Sequence, residues 1–284
     1  MRRSAVFSLL LCLLFSSALG EETTEVLSYQ SDTLRFTVES LCYEGAACYL
    51  TQVWMADPGR QIRKATATWE QDLRYPSEMA GDIPGAALCI NGSGYVSPVF
   101  PGIPEEYPGD SPDYYYTPLG SLTITDGTLL RNLEGVPYYG LTLESDGLHL
   151  YNGEENSRVL AASPTQTWSF YPRCPLVMDH RSVLDTQWGF ANARAMRTVI
   201  AREDSGEYLI LTVTNHSGRG LTLLQVVEFL QTRYDPLWVY NLDGGPSAAL
   251  LARTPESDAL EVLFGNTSRD ADVMVFVELD HAAS

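Results

Sequence analysis

Positive charge is scarce in this chain. Its 284 residues hold 18 lysines and arginines against 36 acids, for a formal net charge of −18. That shortage argues against nucleic acid and anionic membrane surfaces as partners. It leaves an anionic substrate open, because a binding site needs only local positive charge. Histidine is also sparse: His149, His180, His216 and His281 are scattered, and no CxxC or HxxxH spacing occurs. The spacing therefore writes no metal-ligand set, and no cofactor is expected. Long apolar runs are missing too. The one candidate, Ala5 to Phe15, is too short for a comfortable membrane span. With Arg2 and Arg3 before it and Ala18-Leu19-Gly20 after it, residues 1–20 read as a secretory signal peptide cleaved near Gly20. Cys12 sits in a poor lipobox. The expected product is secreted or extracytoplasmic and more acidic by the two lost arginines. Residues 21–284 are long enough to bury one large core as a single domain.

Four cysteines follow the leader: Cys42, Cys48, Cys89 and Cys174. An even count in a secreted chain predicts disulfides. Cys42–Cys48 is the natural local pair, which leaves Cys89–Cys174 as a long-range staple among three possible pairings.

Strand-like runs dominate the rest. They are Leu34–Leu41, Tyr49–Met55, Ala86–Ile90, Leu119–Thr125, Gly140–Leu143, Leu148–Tyr151, Tyr208–Thr214, Leu237–Leu242 and Val273–Leu279. Asp126-Gly127 and Asp146-Gly147 read as hairpin turns. Two helices are predicted. One is short, Pro76 to Asp82, with proline in its first turn. The other begins at a capping box, Thr222 with Gln225, and places Leu223, Val226, Val227, Leu230 and Tyr234 on one face. It stops near Tyr234-Asp235-Pro236. Phe100 to Pro118 carries five prolines, four acids and Tyr114-Tyr115-Tyr116. It is long for a loop, with ligand-binding and purely structural roles both open.

Four segments could carry chemistry. Trp238 to Ala248 is an apolar run ending in Asp243-Gly244-Gly245-Pro246-Ser247, where two glycines let a backbone or ligand approach closely. A plain hairpin turn is the competing reading. Cys89-Ile90-Asn91-Gly92-Ser93-Gly94-Tyr95 follows another apolar run. Arg197 is a lone charge at the head of Met196-Arg197-Thr198-Val199-Ile200. Asn215-His216-Ser217-Gly218-Arg219-Gly220 links a strand to the capped helix, a geometry that can offer amides to an anion. Asn91–Ser93, Asn215–Ser217 and Asn266–Ser268 also spell glycosylation sequons.

Taken in order, these segments resemble the phosphodiester glycosidase family. The matching pattern is Asn-Gly-x-x-Tyr, Arg-Thr-x-Ile, Arg-Gly-Leu-Thr-Leu with its helix, and Asn-Leu-Asp-Gly-Gly-x-Ser. The resemblance covers about residues 50–280. It implies an α+β fold, one domain with a mixed sheet, helices packed around it, and the motif loops converging at one edge. It also implies a hydrolase that acts on a glycosyl bond, freeing sugar from a sugar-1-phosphodiester of a phosphorylated glycan, as in secreted relatives associated with exopolysaccharide. Asp243 is then the expected base, nucleophile or charge stabiliser. Arg197 is the expected phosphate clamp, since a guanidinium matches two phosphate oxygens. Asn91, Asn241 and Ser247 are expected to orient sugar hydroxyls or phosphate oxygens. Gly92, Thr198, Arg219, Gly220, Gly244, Gly245 and Arg269 complete the matching substrate-binding positions. A divalent cation at Asp243 would have no ligand set in the spacing.

The chain departs from that pattern at Ala201 and Pro246, where glycine is usual. It departs again at Asn215-His216, where Asp-Gly is usual, and at Ser93, where bacterial relatives often carry Asp. His216 is a candidate acid or base. Pro246 removes an amide donor. A catalytically degenerate, non-enzymatic glycan-binding or cell-surface structural protein is the alternative, since a fold does not by itself fix a function.

Overall fold

The computed structural model describes residues 23–67, 72–95, 116–133, 138–152, 155–170 and 174–279. The leader at 1–20 and most of the proline-rich stretch at 100–118 lie outside them.

In chain order, β1 (Thr24–Gln30), β2 (Leu34–Tyr43) and β3 (Ala46–Met55) form a meander. Then come α1 (Pro58–Gln61), β4 (Ile62–Thr66), α2 (Pro76–Gly81) and β5 (Ala86–Asn91). β6 (Leu122–Thr125) and β7 (Thr128–Asn132) make a separate hairpin. β8 (Tyr139–Glu144), β9 (Gly147–Asn152), α3 (Asn156–Ala161) and β10 (Gln166–Trp168) follow. The remainder is β11 (Pro175–Met178), β12 (Arg181–Ser182), α4 (Gly189–Asn192), β13 (Arg197–Arg202), β14 (Tyr208–Val213), α5 (Leu223–Arg233), β15 (Trp238–Asn241), β16 (Leu250–Arg253), β17 (Leu260–Phe264) and β18 (Asp272–Val277).

Two sheets carry the architecture. The larger has eight strands in the order β1-β2-β3-β14-β13-β15-β11-β12, the smaller five in the order β17-β16-β5-β18-β4. Three- and two-stranded sheets, β10-β8-β9 and β6-β7, flank them. Each pairing among the described strands is antiparallel. The single mixed sheet that the family resemblance implied is thus replaced by several antiparallel ones, and strands outweigh helices.

The two large sheets face each other over the main core. Phe36, Val53, Ile200, Ile210 and Tyr240 come from one side, and Leu88, Ile90, Leu250, Met274 and Phe276 from the other. α5 covers the outer face of the large sheet, packing Leu223, Val226, Val227, Phe229 and Leu230 on Val199, Leu211 and Val239. α2 covers the outer face of the small sheet with Met79 and Ala80. Because both faces are covered, β14 buries all six of its residues. That is why Tyr208–Val213 reads as a continuous apolar run and not as alternation. The capping box at Thr222 and Gln225 forms as expected, the Thr222 hydroxyl accepting from the Gln225 amide at 3.1 Å.

Neither expected disulfide forms. β2 and β3 join through a two-residue turn, Glu44-Gly45, whose positive φ angles of 49° and 75° suit a tight hairpin. The register sets Cys42 opposite Ala47 and Cys48 opposite Leu41. Directly opposed residues share a face and neighbours alternate, so Cys42 and Cys48 point to opposite sides of the sheet. Cys89 packs in the core under α2, whereas Cys174 packs in the core between the sheets. A strand separates the two.

Candidate active site

The Asp243–Ser247 segment is not a hairpin. β15 belongs to the large sheet and β16 to the small one, so the segment carries the chain from one sheet to the other. Gly244 runs against Met196 and has no room for a Cβ beside that carbonyl. Gly245, at φ 57°, opens a short 3-10 turn through Ser247. Pro246 is exposed in the first turn of that helix, where its missing amide leaves nothing unsatisfied.

The ends of β5, β15 and β18 meet here. The Asp243 amide donates to the Gly92 carbonyl, and the Gly92 amide to the Asp272 carbonyl, both at 3.1 Å. The Ser93 amide donates to Asp272 Oδ1 at 2.6 Å. A Cβ on Gly92 would collide with that same carboxylate, which explains the glycine. Asn91, fully buried, locks the junction. Its Nδ2 donates to the Asp243 carbonyl at 2.8 Å, and its Oδ1 accepts from Thr198 Oγ1 at 2.6 Å and the Ala249 amide at 3.1 Å. Asp270, two residues before the first residue of β18, exchanges backbone hydrogen bonds with Arg74.

Three carboxyl groups therefore share one small region, and their environments differ. Asp272 faces Lys64, the sole lysine of the sequence. The Lys64 ammonium lies 2.8 Å from Asp272 Oδ2, with both side chains fully buried, and also donates to the Thr167 carbonyl at 2.6 Å. Asp270 is 1% exposed and, among the described residues, has no ion-pair partner. Burial, and next the charge of Asp243, push its carboxyl well above the usual range. Asp243 keeps some solvent contact. Burial pushes it up to about 6, opposed by the Gly244 amide at 2.7 Å and by Ser247. Ser247 favours the charged form of both Asp243 and Asp270, but a hydroxyl has only one proton to donate. Neither oxygen of Asp270 meets a donor in good hydrogen-bond geometry. Burial thus favours the neutral form of Asp270, while Asp243 titrates at about 6. Tyr95 borders the group: burial, then Asp243 and Asp270, raise its phenol to about 12.

Asp243, Gly92, Gly244, Gly245 and Ser247 are thus brought together as expected. Other expected residues have different places. Arg197 is 1% exposed and lies over the Phe190 ring, 4.3 Å from its centroid. Its Nη2 donates to the carbonyls of Phe190 and Ala193 at 3.1 and 2.8 Å. Burial lowers its pKa to about 10. Held this way, Nη2 fastens α4 to β13, while Nε is buried with no hydrogen-bond partner among the described residues. Asn91 and Thr198 have their polar groups engaged with each other and with backbone, so they build the junction and do not reach a ligand. The burial of Asn91 also removes it as a glycosylation acceptor. Asn241 is buried, its Nδ2 donating to the Leu242 carbonyl at 2.7 Å. Arg219 is exposed beside the Glu44-Gly45 turn, and Gly220 lies tight against the Ala195 carbonyl. Arg269 is exposed, its guanidinium 5.3 Å from the Tyr75 ring centroid. His216 and Pro246, two of the departures from the family pattern, line one open cleft with Gly245.

Asp270, Asp272 and Lys64 belong to this buried cluster, and sequence reasoning missed them. A signal was present. Asp270 and Asp272 stand two apart at the head of an apolar strand, a spacing that puts both on one face. A lone lysine inside Ile62–Thr66 likewise calls for a buried anion. The group of acidic and histidine side chains close enough to hold a metal is elsewhere, Glu144, Asp146 and His149 on the β8–β9 hairpin, among the described residues.

Known proteins bear on this geometry. A model of the phosphodiester glycosidase family matches residues 85–277, a span that holds all three aspartates. Among solved structures, the chain is similar to the catalytic domain of zebrafish N-acetylglucosamine-1-phosphodiester α-N-acetylglucosaminidase, auto-inhibited by its pro-peptide. The TM-score is 0.63 at 16% identity, covering 91% of this chain and 88% of that one. It is also similar to a hypothetical protein from Synechocystis, with TM-score 0.57, 14% identity and coverage of 87% and 63%. These likenesses concern the fold. No curated protein matches the chain.

Proposed function

The chain belongs to the phosphodiester glycosidase family, and on that premise we propose that it hydrolyses a sugar-1-phosphodiester to free sugar and a phosphomonoester. The observation that carries the proposal is the unequal pair Asp243 and Asp270. Two carboxyl groups, one whose burial favours its neutral form and the other titrating at about 6, divide acid and base roles between them. Asp243, ionised and partly open to solvent, faces the anomeric carbon and takes a proton from the attacking water. The water oxygen bonds to C1 as the C1–O bond breaks, and its electron pair stays on the phosphate oxygen. Asp270, protonated, gives that oxygen a hydrogen bond; a phosphomonoester is already a good leaving anion and needs little more. Lys64 fixes Asp272, and through Gly92 and Ser93 it fixes the strand end against which Asp243 is held.

The leader-like residues 1–20 support a secreted product, and no described helix is long and apolar enough to cross a membrane. GlcNAc-1-phosphodiesters are the first substrates to try, in line with the zebrafish protein's name.

The test is sugar release from a panel of sugar-1-phosphodiesters. Turnover is expected to rise through pH 6, and Asp243→Asn and Asp270→Asn should each remove nearly all of it. One observation favours a second reading, a non-enzymatic glycan-binding member: Arg197 is held by backbone carbonyls. Carbohydrate binding with no turnover across the panel would establish that reading in place of the first.

A further inference from the structure

On the outer side of the Gly245-Pro246 turn lies an open cleft of about 370 Å³. Its walls are that turn, Asn215 and His216 after β14, and the end of β17 with the loop beyond it, through Leu263, Phe264 and Thr267. We infer that this cleft is a subsite for one uncharged pyranosyl ring, a sugar unit of the glycan substrate next to the reacting group. The inference rests on the proposed hydrolysis for its place in catalysis, and on the cleft itself for its chemistry.

Four observations support it. The volume falls in the range of small-ligand sites, about 300–1,000 Å³, and at its lower end, which suits a single ring and not an oligosaccharide. Among the described residues no aspartate, glutamate, lysine or arginine lines the cleft, although the chain carries 36 acids. A divalent cation would find no carboxylate there, and a free anion no fixed cation. The lining is also two-sided. Pro246, Leu263 and Phe264 offer an apolar wall for the C–H face of a sugar, while Asn215, His216 and Thr267 offer exposed polar groups for its hydroxyls. Finally, the His216 ring is oriented in advance. It stands edge-on to Phe264, with centroids 5.2 Å apart and planes at 81°. Among the described residues nothing hydrogen-bonds either of its ring nitrogens, so both are available to a ligand. The Gly245-Pro246 turn that forms one wall follows Asp243 directly in the chain, so the cleft adjoins the segment that carries Asp243, although Asp243 itself is not part of its lining.

The full chain, with its histidine rings isotopically labelled, is titrated with methyl α-D-glucopyranoside, methyl N-acetyl-α-D-glucosaminide and, separately, inorganic phosphate. Saturable movement of the His216 ring resonance with a pyranoside, and none with phosphate, is expected. His216→Phe keeps the ring packing and removes both nitrogens; it should weaken pyranoside binding roughly five- to tenfold. Thr267→Trp, at an exposed position, should fill the cleft and abolish binding while near-UV circular dichroism stays native. Saturation by phosphate in place of pyranoside overturns the assignment, as does a His216 resonance unmoved by any pyranoside up to its solubility. The two proposals separate cleanly. Pyranoside binding without hydrolysis defeats the enzymatic reading alone, whereas hydrolysis with KM unchanged in both variants defeats the subsite alone.

Discussion

Replacing Asp243 by asparagine should abolish activity and at the same time stabilise the protein, with a pH dependence that identifies the cause. In the unfolded chain the Asp243 carboxyl titrates at its ordinary value of 3.8; in the fold it titrates at about 6. Between those values the folded state holds the proton and the unfolded state has lost it. Native stability therefore falls as pH rises through that window. The penalty is absent below the lower value and complete above the upper one. A displacement of about two pKa units corresponds to about 3 kcal/mol. Asparagine has no charge to bury, and its Oδ1 still accepts from the Gly244 amide. The variant should gain about 3 kcal/mol over the native chain at pH 7.5 relative to pH 4, or roughly 6 °C in midpoint for a domain of this size. Urea titrations of both proteins at several pH values measure the difference directly. A stability difference that does not change with pH would refute the argument, because the group would then not be carrying a desolvation penalty. A difference of opposite sign would mean that Asp243 has a cationic partner in solution. A gain in stability with loss of turnover is the pattern of a site whose strain is maintained for function.

Lys64→Met should cost about 3–5 kcal/mol in denaturant titration, because it leaves Asp272 buried without its cation; adding Asp272→Asn should restore a large part. Arg197→Ala should destabilise by roughly 2–4 kcal/mol through an internal gap and two unpaired carbonyls. KM for any cleaved phosphodiester should stay within about twofold, which is too small a change for loss of a charged phosphate contact; a much larger rise would return Arg197 to the phosphate. Peptide mapping of the unreduced protein should find neither a Cys42–Cys48 nor a Cys89–Cys174 bridge, and finding either would overturn the strand register or the core assignment drawn above.

Much of the fold was legible because the signals are local. The Thr222–Gln225 cap and the apolar stripe of α5 need only i, i+3 and i+4 spacing, and Asp126-Gly127 and Asp146-Gly147 mark hairpins by their backbone preferences alone. The short strands β4, β10, β16 and β17 lack such marks. β4, β10 and β16 are held in sheets by partners far along the chain and β17 by its neighbour β16, and nothing within four or five residues announces them. The disulfides were misread for a related reason. Proximity in sequence placed Cys42 near Cys48, but the parity of a two-residue turn decides which face each occupies.

The same division holds at the site. Sequence alone determined that Asp243 would sit in a tight glycine-bounded turn after a buried strand, because Gly244 and Gly245 admit close backbone packing that other residues do not. It also determined the chain's family, since the motif order survives in the residues themselves. It did not determine which charges meet. Asp243, Asp270, Asp272 and Lys64 are distributed over more than 200 positions, and only the packing of β4, β5 and β18 beside the end of β15 brings them together. Nor did it determine that Arg197 would be taken by the carbonyls of α4. A charge acquires its role from the groups that replace its water, and those groups are chosen by the fold.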